Sequence, residues 1–306
     1  MWLYVVIKVG AWSSRVIPLS LRYRISTVIA DLLWLTWTSK RRTCIDNMSI
    51  VVGGNPCDSE VRKTARDAFH QFGKGIVDFL GFANIDPHHP VVKDMPLEGW
   101  DLVEEGLARG KGVILATAHF GSTDMGGITL ANRSDNFYAV ADVFYPEYVD
   151  RLIRRTRESK GYRLIPATSA RGIIRALKDN ALVVVLFDRP MPRGEGVPVT
   201  FFGRRTALPA GVAVIARHSG ATVLPGYIFR EPDNTFRGHI FPSVSSDLTG
   251  QKDRDIELVM QRLADSLERT IREAPDQWYM FRPMWPEWAE ATQPSRAVAE
   301  AAPSGG

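Results

Sequence analysis

GVILATAHFGSTD, residues 112–124, is the stretch of sequence that decides the fold. Its first part, residues 112–117, is a continuous apolar run whose length and composition predict a buried β-strand. The residues that follow are small, polar or charged, and they include a histidine and an aspartate five positions apart. A buried strand that ends in such residues is typical of an open α/β sheet, which carries its site at the carboxyl ends of its strands.

Four further apolar runs alternate with segments of helical periodicity. Strands are predicted at residues 112–117, 137–142, 163–166, 182–187 and 222–229, and helices at 123–132, 147–160, 170–178 and 207–218. Longer amphipathic helices are predicted at 59–83 and 251–274, whereas the proline-rich residues 84–98 are predicted to form a loop. This alternation predicts an α/β fold with a mostly parallel central sheet flanked by helices.

The first 42 residues are apolar and basic. Residues 2–9 and 25–37 are apolar runs, but neither approaches the roughly 18–20 uncharged residues that a membrane-spanning helix needs. Tryptophans interleaved with arginines favour an amphipathic helix at a membrane surface, and core helices are the alternative. We expect an interfacial helical segment at 1–42, an α/β domain at 43–288 and a disordered tail at 289–306.

The composition limits the classes of protein that fit the chain. Of 306 residues, 45% are hydrophobic and 24% are charged, which is typical of a globular protein. The formal net charge is only +4, but residues 151–205 are locally basic. This stretch suits the phosphates of nucleic acid, anionic lipid or a phosphopantetheine carrier, or it is a solvated helix face. Cys44 and Cys57 fit no zinc motif, so we expect structural cysteines in a cytoplasmic domain.

His119 is the strongest candidate for chemistry, because it follows the first predicted strand and Asp124 lies one turn further on. A carboxylate on one imidazole nitrogen leaves the other nitrogen free to take a proton from a hydroxyl group. A structural histidine is the alternative. The sequence has no Gly-x-Ser-x-Gly elbow, phosphate-binding glycine loop or convincing pair of metal-ligating histidines. A base-assisted direct transfer remains, in which the acceptor hydroxyl is the nucleophile.

Four ordered blocks resemble the motifs of the bacterial lipid A biosynthesis acyltransferases, within the lysophospholipid acyltransferase superfamily. The first is the HX4D motif formed by His119 and Asp124. The others are the arginine helix 152–161, the block 187–203 with its Phe-Phe-Gly turn, and the Gln-Trp block 277–282. The resemblance extends from the N-terminal helix to about residue 288 and implies a fold similar to that of the glycerol-phosphate acyltransferases. The Pro-Glu-Gly-Thr block of those enzymes is absent from the sequence.

The resemblance implies transfer of a fatty acyl chain from acyl-CoA or acyl-carrier protein to a hydroxyl of a membrane glycolipid. No cofactor or metal is implied beyond that co-substrate. Asp rather than Glu at position 124, with Arg189 after Asp188, is similar to the phosphatidylinositol mannoside acyltransferases of the family. A lipid A-type acceptor is the alternative. The implied location is the cytoplasmic face of the plasma (inner) membrane.

By resemblance, His119 is the general base and Asp124 is its orienting partner. Arg157 and Arg189 are expected to bind phosphate or a carboxylate, and an ion pair between Arg157 and Asp188 is the alternative. Asp188 is predicted to be a site residue, or else a helix cap.

The segment 195–203 supplies the other predicted substrate-binding residues. Glu195 is either a second carboxylate near the base or a solvated loop residue. Backbone amides near Phe202 and Gly203 are candidate oxyanion donors. The Phe202 ring is expected to line an acyl groove, to pack in the core, or to do both.

Two other classes of function compete with an enzyme. One is a non-catalytic lipid-binding module of the same fold, against which the intact His119, Asp124 and Arg157 argue. The other is a nucleic-acid binder that uses the basic stretch 151–205, but no recognisable motif supports it. We expect a membrane surface and no nucleic acid as partners.

Overall fold

The computed structural model describes residues 2–192 and 195–285. The helices in this part of the chain are α1 (Trp2–Val16), α2 (Leu19–Thr36), α3 (Thr38–Val52), α4 (Ser59–Gly81), α5 (Pro90–Lys93), α6 (Trp100–Ala108), α7 (Thr123–Arg133), α8 (Glu147–Glu158), α9 (Ala170–Lys178), α10 (Gly211–Ser219) and α11 (Lys252–Glu273). The strands are β1 (Leu97–Glu98), β2 (Val113–Thr117), β3 (Phe137–Ala141), β4 (Arg163–Pro166), β5 (Leu182–Leu186), β6 (Val197–Phe201), β7 (Arg204–Leu208), β8 (Thr222–Arg230) and β9 (Phe236–Ile240).

A seven-stranded sheet in the order β1-β9-β8-β2-β5-β3-β4 forms the centre of the fold. The five strands from β8 to β4 run parallel, whereas β9 is antiparallel to β8. Strands β6 and β7 form a separate antiparallel hairpin. The predicted α/β fold with a mostly parallel sheet and helices around it is therefore confirmed.

Strand β2 is buried on both of its faces, as its continuous apolar sequence predicts. Ile114 and Ala116 belong to one hydrophobic cluster, and Val113 and Leu115 belong to a second cluster on the opposite face. Because successive side chains of a strand point to opposite faces, one five-residue segment contributes to both halves of the core. Burial on both faces therefore fixes the register of the strand, and this register sets the position of the residues that follow its carboxyl end.

The connecting segments account for most differences between the predicted and observed elements. The predicted helix 207–218 begins only at Gly211, because residues 204–208 pair with β6. The segment 84–98, predicted as a loop, contains the short helix α5 and strand β1. The sequence does not predict the antiparallel hairpin, because β6 buries alternate side chains only when it pairs with β7 and packs on α11.

The first three helices pack on α4, and α2 makes the most extensive of these contacts. Helix α3 runs across the predicted boundary at residue 42 and places Cys44 and Met48 in the core. Burial raises the pKa of the Cys44 thiol to about 12, whereas Cys57 is exposed. None of the helices in the described residues is long and apolar enough to span a membrane. The predicted tail 289–306 lies outside the described residues.

A buried polar cluster of Tyr23, Asp78 and Arg230 joins α2, α4 and β8. The Asp78 carboxylate forms an ion pair with the Arg230 guanidinium and accepts a hydrogen bond from the Tyr23 hydroxyl at 2.6 Å. Arg230 also donates to the Tyr23 oxygen at 3.1 Å. The side chains of Asp78 and Arg230 are almost fully buried, so each charge depends on the other for its stabilisation. The cluster therefore links the N-terminal helices to the sheet.

Replacing Asp78 by asparagine should lower the free energy of unfolding by about 3–5 kcal/mol, because it leaves the buried Arg230 charge uncompensated. Urea denaturation monitored by circular dichroism measures the change. Asp67→Asn is the matched control, since Asp67 pairs only with the exposed Lys63 and the partly exposed His70, and its cost should stay below about 1 kcal/mol. Equal costs for the two substitutions would contradict the role assigned to the buried pair.

Candidate active site

The side chains of His119 and Asp188 meet at the carboxyl ends of two neighbouring parallel strands. Thr117 of β2 is paired in register with Leu186 of β5, and the histidine and the aspartate each lie two residues beyond this pair. The imidazole Nδ1 lies 2.7 Å from Asp188 Oδ1. The backbone N–H of His119 donates to Asp188 Oδ2 at 3.0 Å. One carboxylate thus holds both the backbone and the ring of the histidine.

Asp188 is completely buried and receives a third hydrogen bond from the indole Nε1 of Trp278, at 3.3 Å. A carboxylate is an acceptor only, so Nδ1 of His119 carries the proton in this pair. In the neutral imidazole, Nε2 is then the unprotonated nitrogen. The His119 side chain is 31% exposed and lines a cavity. The geometry leaves Nε2 available as a proton acceptor.

Asp124 does not contact His119, and the predicted hydrogen bond between them is therefore wrong. Asp124 lies in the first turn of α7, and its Oδ1 accepts a hydrogen bond from Arg157 Nε at 3.0 Å and lies 2.9 Å from NH2 of the same guanidinium. Gly121, at φ +58°, turns the chain after the histidine, and α7 then directs Asp124 towards α8. The alternative pairing of Arg157 with Asp188 is wrong for the same reason.

The ion pair of Asp124 and Arg157 joins α7 to α8 at the edge of the cavity. Each side chain is 19% exposed, and the Tyr162 hydroxyl donates to the Asp124 carbonyl at 2.7 Å. Burial lowers the pKa of the Arg157 guanidinium, but the neighbouring Asp124 and Tyr162 outweigh burial and the pKa is raised. Arg157 therefore remains charged, and its charge is balanced within the protein.

Arg189 lies beside His119 and pairs with a carboxylate, which is one of the two partners expected for it. Its guanidinium NH2 is 3.5 Å from His119 Nε2, and its NH1 forms an ion pair with Asp142. Asp142 follows the end of β3, so three adjacent strands supply residues to this edge. Arg189 is half-exposed and lines the cavity. It is the cationic group nearest to the free imidazole nitrogen among the described contacts.

Phe202 and Gly203 do not line the cavity and form the turn of the β6–β7 hairpin. The Phe202 N–H donates to the Glu268 carboxylate at 2.6 Å, so this amide is not free to bind an oxyanion. The Phe202 ring is buried against Phe201 and Trp285, which agrees with the core interpretation. Phe201 packs in turn on Trp278, so the hairpin supports Asp188 from behind.

Glu195 is exposed and does not line the cavity. Its backbone N–H donates to the Pro192 carbonyl at 3.0 Å. The structure therefore agrees with the solvated interpretation of Glu195 and not with a second carboxylate beside the base. Among the described residues no cluster of histidine, cysteine and carboxylate side chains has the arrangement of a metal site.

Residues 277–279 form a short antiparallel pairing with residues 119–121. Gly121 donates to the Gln277 carbonyl at 2.9 Å, and Tyr279 donates to the His119 carbonyl at 2.9 Å. The Gln277 side chain bonds both backbone groups of Arg230. The sequence identifies the Gln-Trp block as a motif but indicates no role for it. In the structure, this block holds Asp188 in place together with residues 119–121, which are called the histidine loop below.

An apolar cavity of 460 Å³ extends from His119 beneath the sheet. Leu115, Val184 and Ala139 line it from the adjacent strands β2, β5 and β3. These three residues lie side by side, because Val184 is paired in register with both Leu115 and Ala139. On the opposite side, α7 contributes Gly126 and Gly127. Phe137 and Ile240 are among the other apolar lining residues. This volume and lining suit an apolar ligand with its polar end at the histidine.

A histidine held by a buried carboxylate beside an apolar cavity can take a proton from a hydroxyl group of a ligand next to it. The family model of the bacterial lipid A biosynthesis acyltransferases matches residues 1–287. The chain belongs to this family.

Individual relatives refine the comparison. Phosphatidylinositol mannoside acyltransferase of Mycobacterium tuberculosis is 31% identical over 197 residues, which cover 63% of this chain and 60% of that protein. Its counterpart from Mycolicibacterium smegmatis is 30% identical over 190 residues, 60% of each chain. Lipid A biosynthesis palmitoleoyltransferase of Escherichia coli is 25% identical over 221 residues, 72% of this chain and 70% of that protein. The chain thus aligns with about three fifths of the length of the mycobacterial relatives.

The close approach of the histidine loop to β8 gives a test of the site. A Cβ atom at Gly121 would lie 1.6 Å from the Ile228 carbonyl oxygen, whereas a Cβ at Gly203 would meet nothing within 4 Å. Both glycines have positive φ, so alanine costs about 1–2 kcal/mol at each. Gly121→Ala should destabilise the protein by at least about 2 kcal/mol more than Gly203→Ala. Urea denaturation of the two variants measures this difference, and equal midpoints would contradict the packing described.

Proposed function

We propose that the chain is an O-acyltransferase that moves a fatty acyl group from a thioester donor to a hydroxyl of a membrane glycolipid. The hydrogen-bonded pair of His119 and Asp188 at the entrance of an apolar cavity carries this proposal. Membership of the acyltransferase family and the names of the relatives support it. The donor is acyl-CoA or acyl-carrier protein, and both present the acyl group as a thioester.

In the proposed mechanism, His119 Nε2 takes the proton of the acceptor hydroxyl as its oxygen attacks the thioester carbonyl carbon. Asp188, on Nδ1, stabilises the imidazolium that forms. The tetrahedral intermediate then collapses, the C–S bond breaks, and the departing thiolate takes the proton from Nε2. The products are an ester and a free thiol, and the histidine returns to its starting state.

Arg189 is the proposed electrostatic stabiliser of the tetrahedral oxyanion. Its NH2 lies 3.5 Å from Nε2, close to where the reacting carbonyl must stand if the base is to reach the hydroxyl. Arg189 is favoured over the amides near Phe202 and Gly203, because the Phe202 N–H is bonded to Glu268 and neither residue lines the cavity. Arg157 is balanced by Asp124, so we propose that this pair shapes the cavity wall.

The acyl chain is proposed to lie in the apolar cavity, where its methylene groups leave water. A phosphatidylinositol mannoside-like glycolipid is the proposed acceptor, since the relatives that bear this name have higher identity than the lipid A enzymes. A lipid A-type acceptor is the alternative. Mass spectrometry of lipids from cells that lack the protein distinguishes the two, because the acceptor accumulates without one acyl chain.

We also propose that α1 and α2 bind the membrane surface at its cytoplasmic face. Their large exposed side chains are predominantly apolar, and the set is Tyr4, Val5, Val6, Val9, Trp12, Val16, Leu19, Leu21, Ile25, Val28, Ile29, Leu32, Leu33 and Leu35. A soluble surface rarely exposes so many apolar side chains together, whereas a lipid interface buries them. The site and its lipid substrates would then meet at one surface.

The nucleic-acid interpretation of the basic stretch 151–205 loses support from the ion pairs. Arg154 pairs with Asp150 at 2.6 Å, Arg157 pairs with Asp124, and Arg189 pairs with Asp142. Three cations of the stretch are therefore neutralised by carboxylates of the protein, which lowers the local positive potential. The catalytic arrangement likewise favours an enzyme over a lipid-binding module of the same fold.

His119→Gln should lower kcat for acyl transfer about 10²–10⁴-fold, because the base is lost. Asp188→Asn should lower kcat by a similar factor, since an amide cannot stabilise the imidazolium. Release of free thiol from an acyl-CoA donor in the presence of the glycolipid acceptor measures the rate. The control is His218→Gln, an exposed histidine of α10, whose rate should match the wild type. Near-normal transfer by His119→Gln in folded protein would disprove the assignment.

A further inference from the structure

The segment 142–148, which comprises the loop between β3 and α8 and the first two residues of α8, is unusually apolar for an exposed connection. It is called the loop 142–148 below. Tyr145 is 84% exposed, Val143 45%, Phe144 38% and Tyr148 37%. Loops of soluble proteins are normally polar at such positions, because exposed aromatic groups gain nothing from water. Four exposed apolar side chains within six residues indicate a surface that another apolar medium covers.

The loop stands at the entrance of the active-site cavity and is held in place from both ends. Asp142 and Phe144 line the cavity, and Asp142 forms the ion pair with Arg189. The Phe144 N–H donates to the buried Asp150 at 3.0 Å. The apolar side chains are therefore presented by an anchored loop whose position is fixed relative to the base.

The apolar surface of α1 continues onto this loop. The rings of Tyr4 and Tyr148 meet edge to face with centroids 5.7 Å apart. Tyr4 stands at the start of the exposed apolar residues of α1, and Tyr148 stands in the first turn of α8. Beyond it on α8, Arg151 and Arg155 are exposed one turn apart, and Arg151 makes only a long ion pair of 3.9 Å with the exposed Glu147. Aromatic groups flanked by arginines match an interface between acyl chains and anionic headgroups.

We propose that residues 142–148 form a second membrane-contacting element, which together with α1 seats the entrance of the active-site cavity on an anionic lipid surface. This inference rests on the proposed function, because it presupposes that α1 binds the membrane. Tyr145 and Val143 enter the headgroup region, while Arg151 and Arg155 contact lipid phosphates. The loop is thus the contact that brings the base to the depth of the acceptor headgroup.

A crevice between α1 and α8 borders the active-site cavity at Arg157. The crevice has a volume of 310 Å³, and α1 lines it with Lys8, Trp12 and Arg15. Leu152 and Arg157 line it from α8, and Arg157 also lines the active-site cavity.

Depth measurements with a fluorescent label test the loop directly. The background is Cys57→Ser, since Cys57 is exposed and Cys44 is buried. Single cysteines at Tyr145→Cys, Val9→Cys and Leu248→Cys carry a nitrobenzoxadiazole label in full-length protein. The vesicles contain equal parts of phosphatidylcholine and phosphatidylglycerol, with or without nitroxide-labelled acyl chains. Position 9 reports on α1, and Leu248, an exposed residue in the loop before α11, is the negative control.

Labels at positions 9 and 145 should shift to shorter emission wavelengths and be quenched by the nitroxide lipids, whereas the label at 248 should not change. Insertion at position 9 without insertion at 145 would overturn the inference and leave the proposed membrane binding of α1 intact. No insertion at either position would contradict both proposals. Insertion at all three positions would overturn the inference, since the contact would not be specific to the loop.

A double substitution provides a functional readout that does not depend on labels. Val143→Ser with Tyr145→Ser should weaken binding to the same vesicles about tenfold, because two apolar groups no longer leave water. The matched control is Val214→Ser with Leu248→Ser, at exposed positions of α10 and the loop before α11. Thioester turnover with a water-soluble acceptor should be unchanged in both variants. Unweakened vesicle binding by the loop variant would overturn the proposal.

Discussion

The hydrogen bonds of the buried Asp188 carboxylate are the interaction on which the rest of the site depends. The carboxylate is completely buried, and it accepts from the His119 backbone, the His119 ring and the Trp278 indole. A buried carboxylate without such donors costs several kcal/mol, so each of the three donors stabilises the folded state. The same bonds that stabilise the fold therefore set the orientation of the base.

Distant parts of the chain converge on this carboxylate. The in-register pairing of β2 with β5 places His119 and Asp188 side by side. The Gln-Trp segment supplies Trp278 and pairs with the histidine loop. The β6–β7 hairpin packs Phe201 against Trp278. Three of the four sequence blocks, at 119–124, 187–203 and 277–282, are thus parts of one support. The fourth, the arginine helix 152–161, joins the site through the ion pair of Arg157 with Asp124.

The sequence predicted the strands and the α/β class well, because buried parallel strands leave continuous apolar runs that need no knowledge of their neighbours. It did not predict the partner of His119. The short separation of Asp124 from His119 along the chain favours their pairing, but contacts across a β-sheet depend on the lateral order of its strands. The sequence does show that Asp188 follows the apolar run 182–187 just as His119 follows the run 112–117. The two side chains meet only because β2 and β5 are neighbours in the sheet, and the sequence does not reveal that adjacency. The roles of Phe202 and Glu195 depended on side-chain surroundings that the sequence pattern does not contain.

The central claim is that Asp188 fixes the proton of His119 on Nδ1 and leaves Nε2 free as the base. Nitrogen-15 NMR of the histidine rings tests it most directly, with the His119→Gln spectrum used to assign the His119 signals. At a pH where the imidazole is neutral, the account predicts a protonated Nδ1 and an unprotonated Nε2, and it predicts that Asp188→Asn abolishes this preference while Asp124→Asn preserves it. A proton on Nε2 in the wild-type protein, or a tautomer that depends on Asp124 and not on Asp188, would contradict the account.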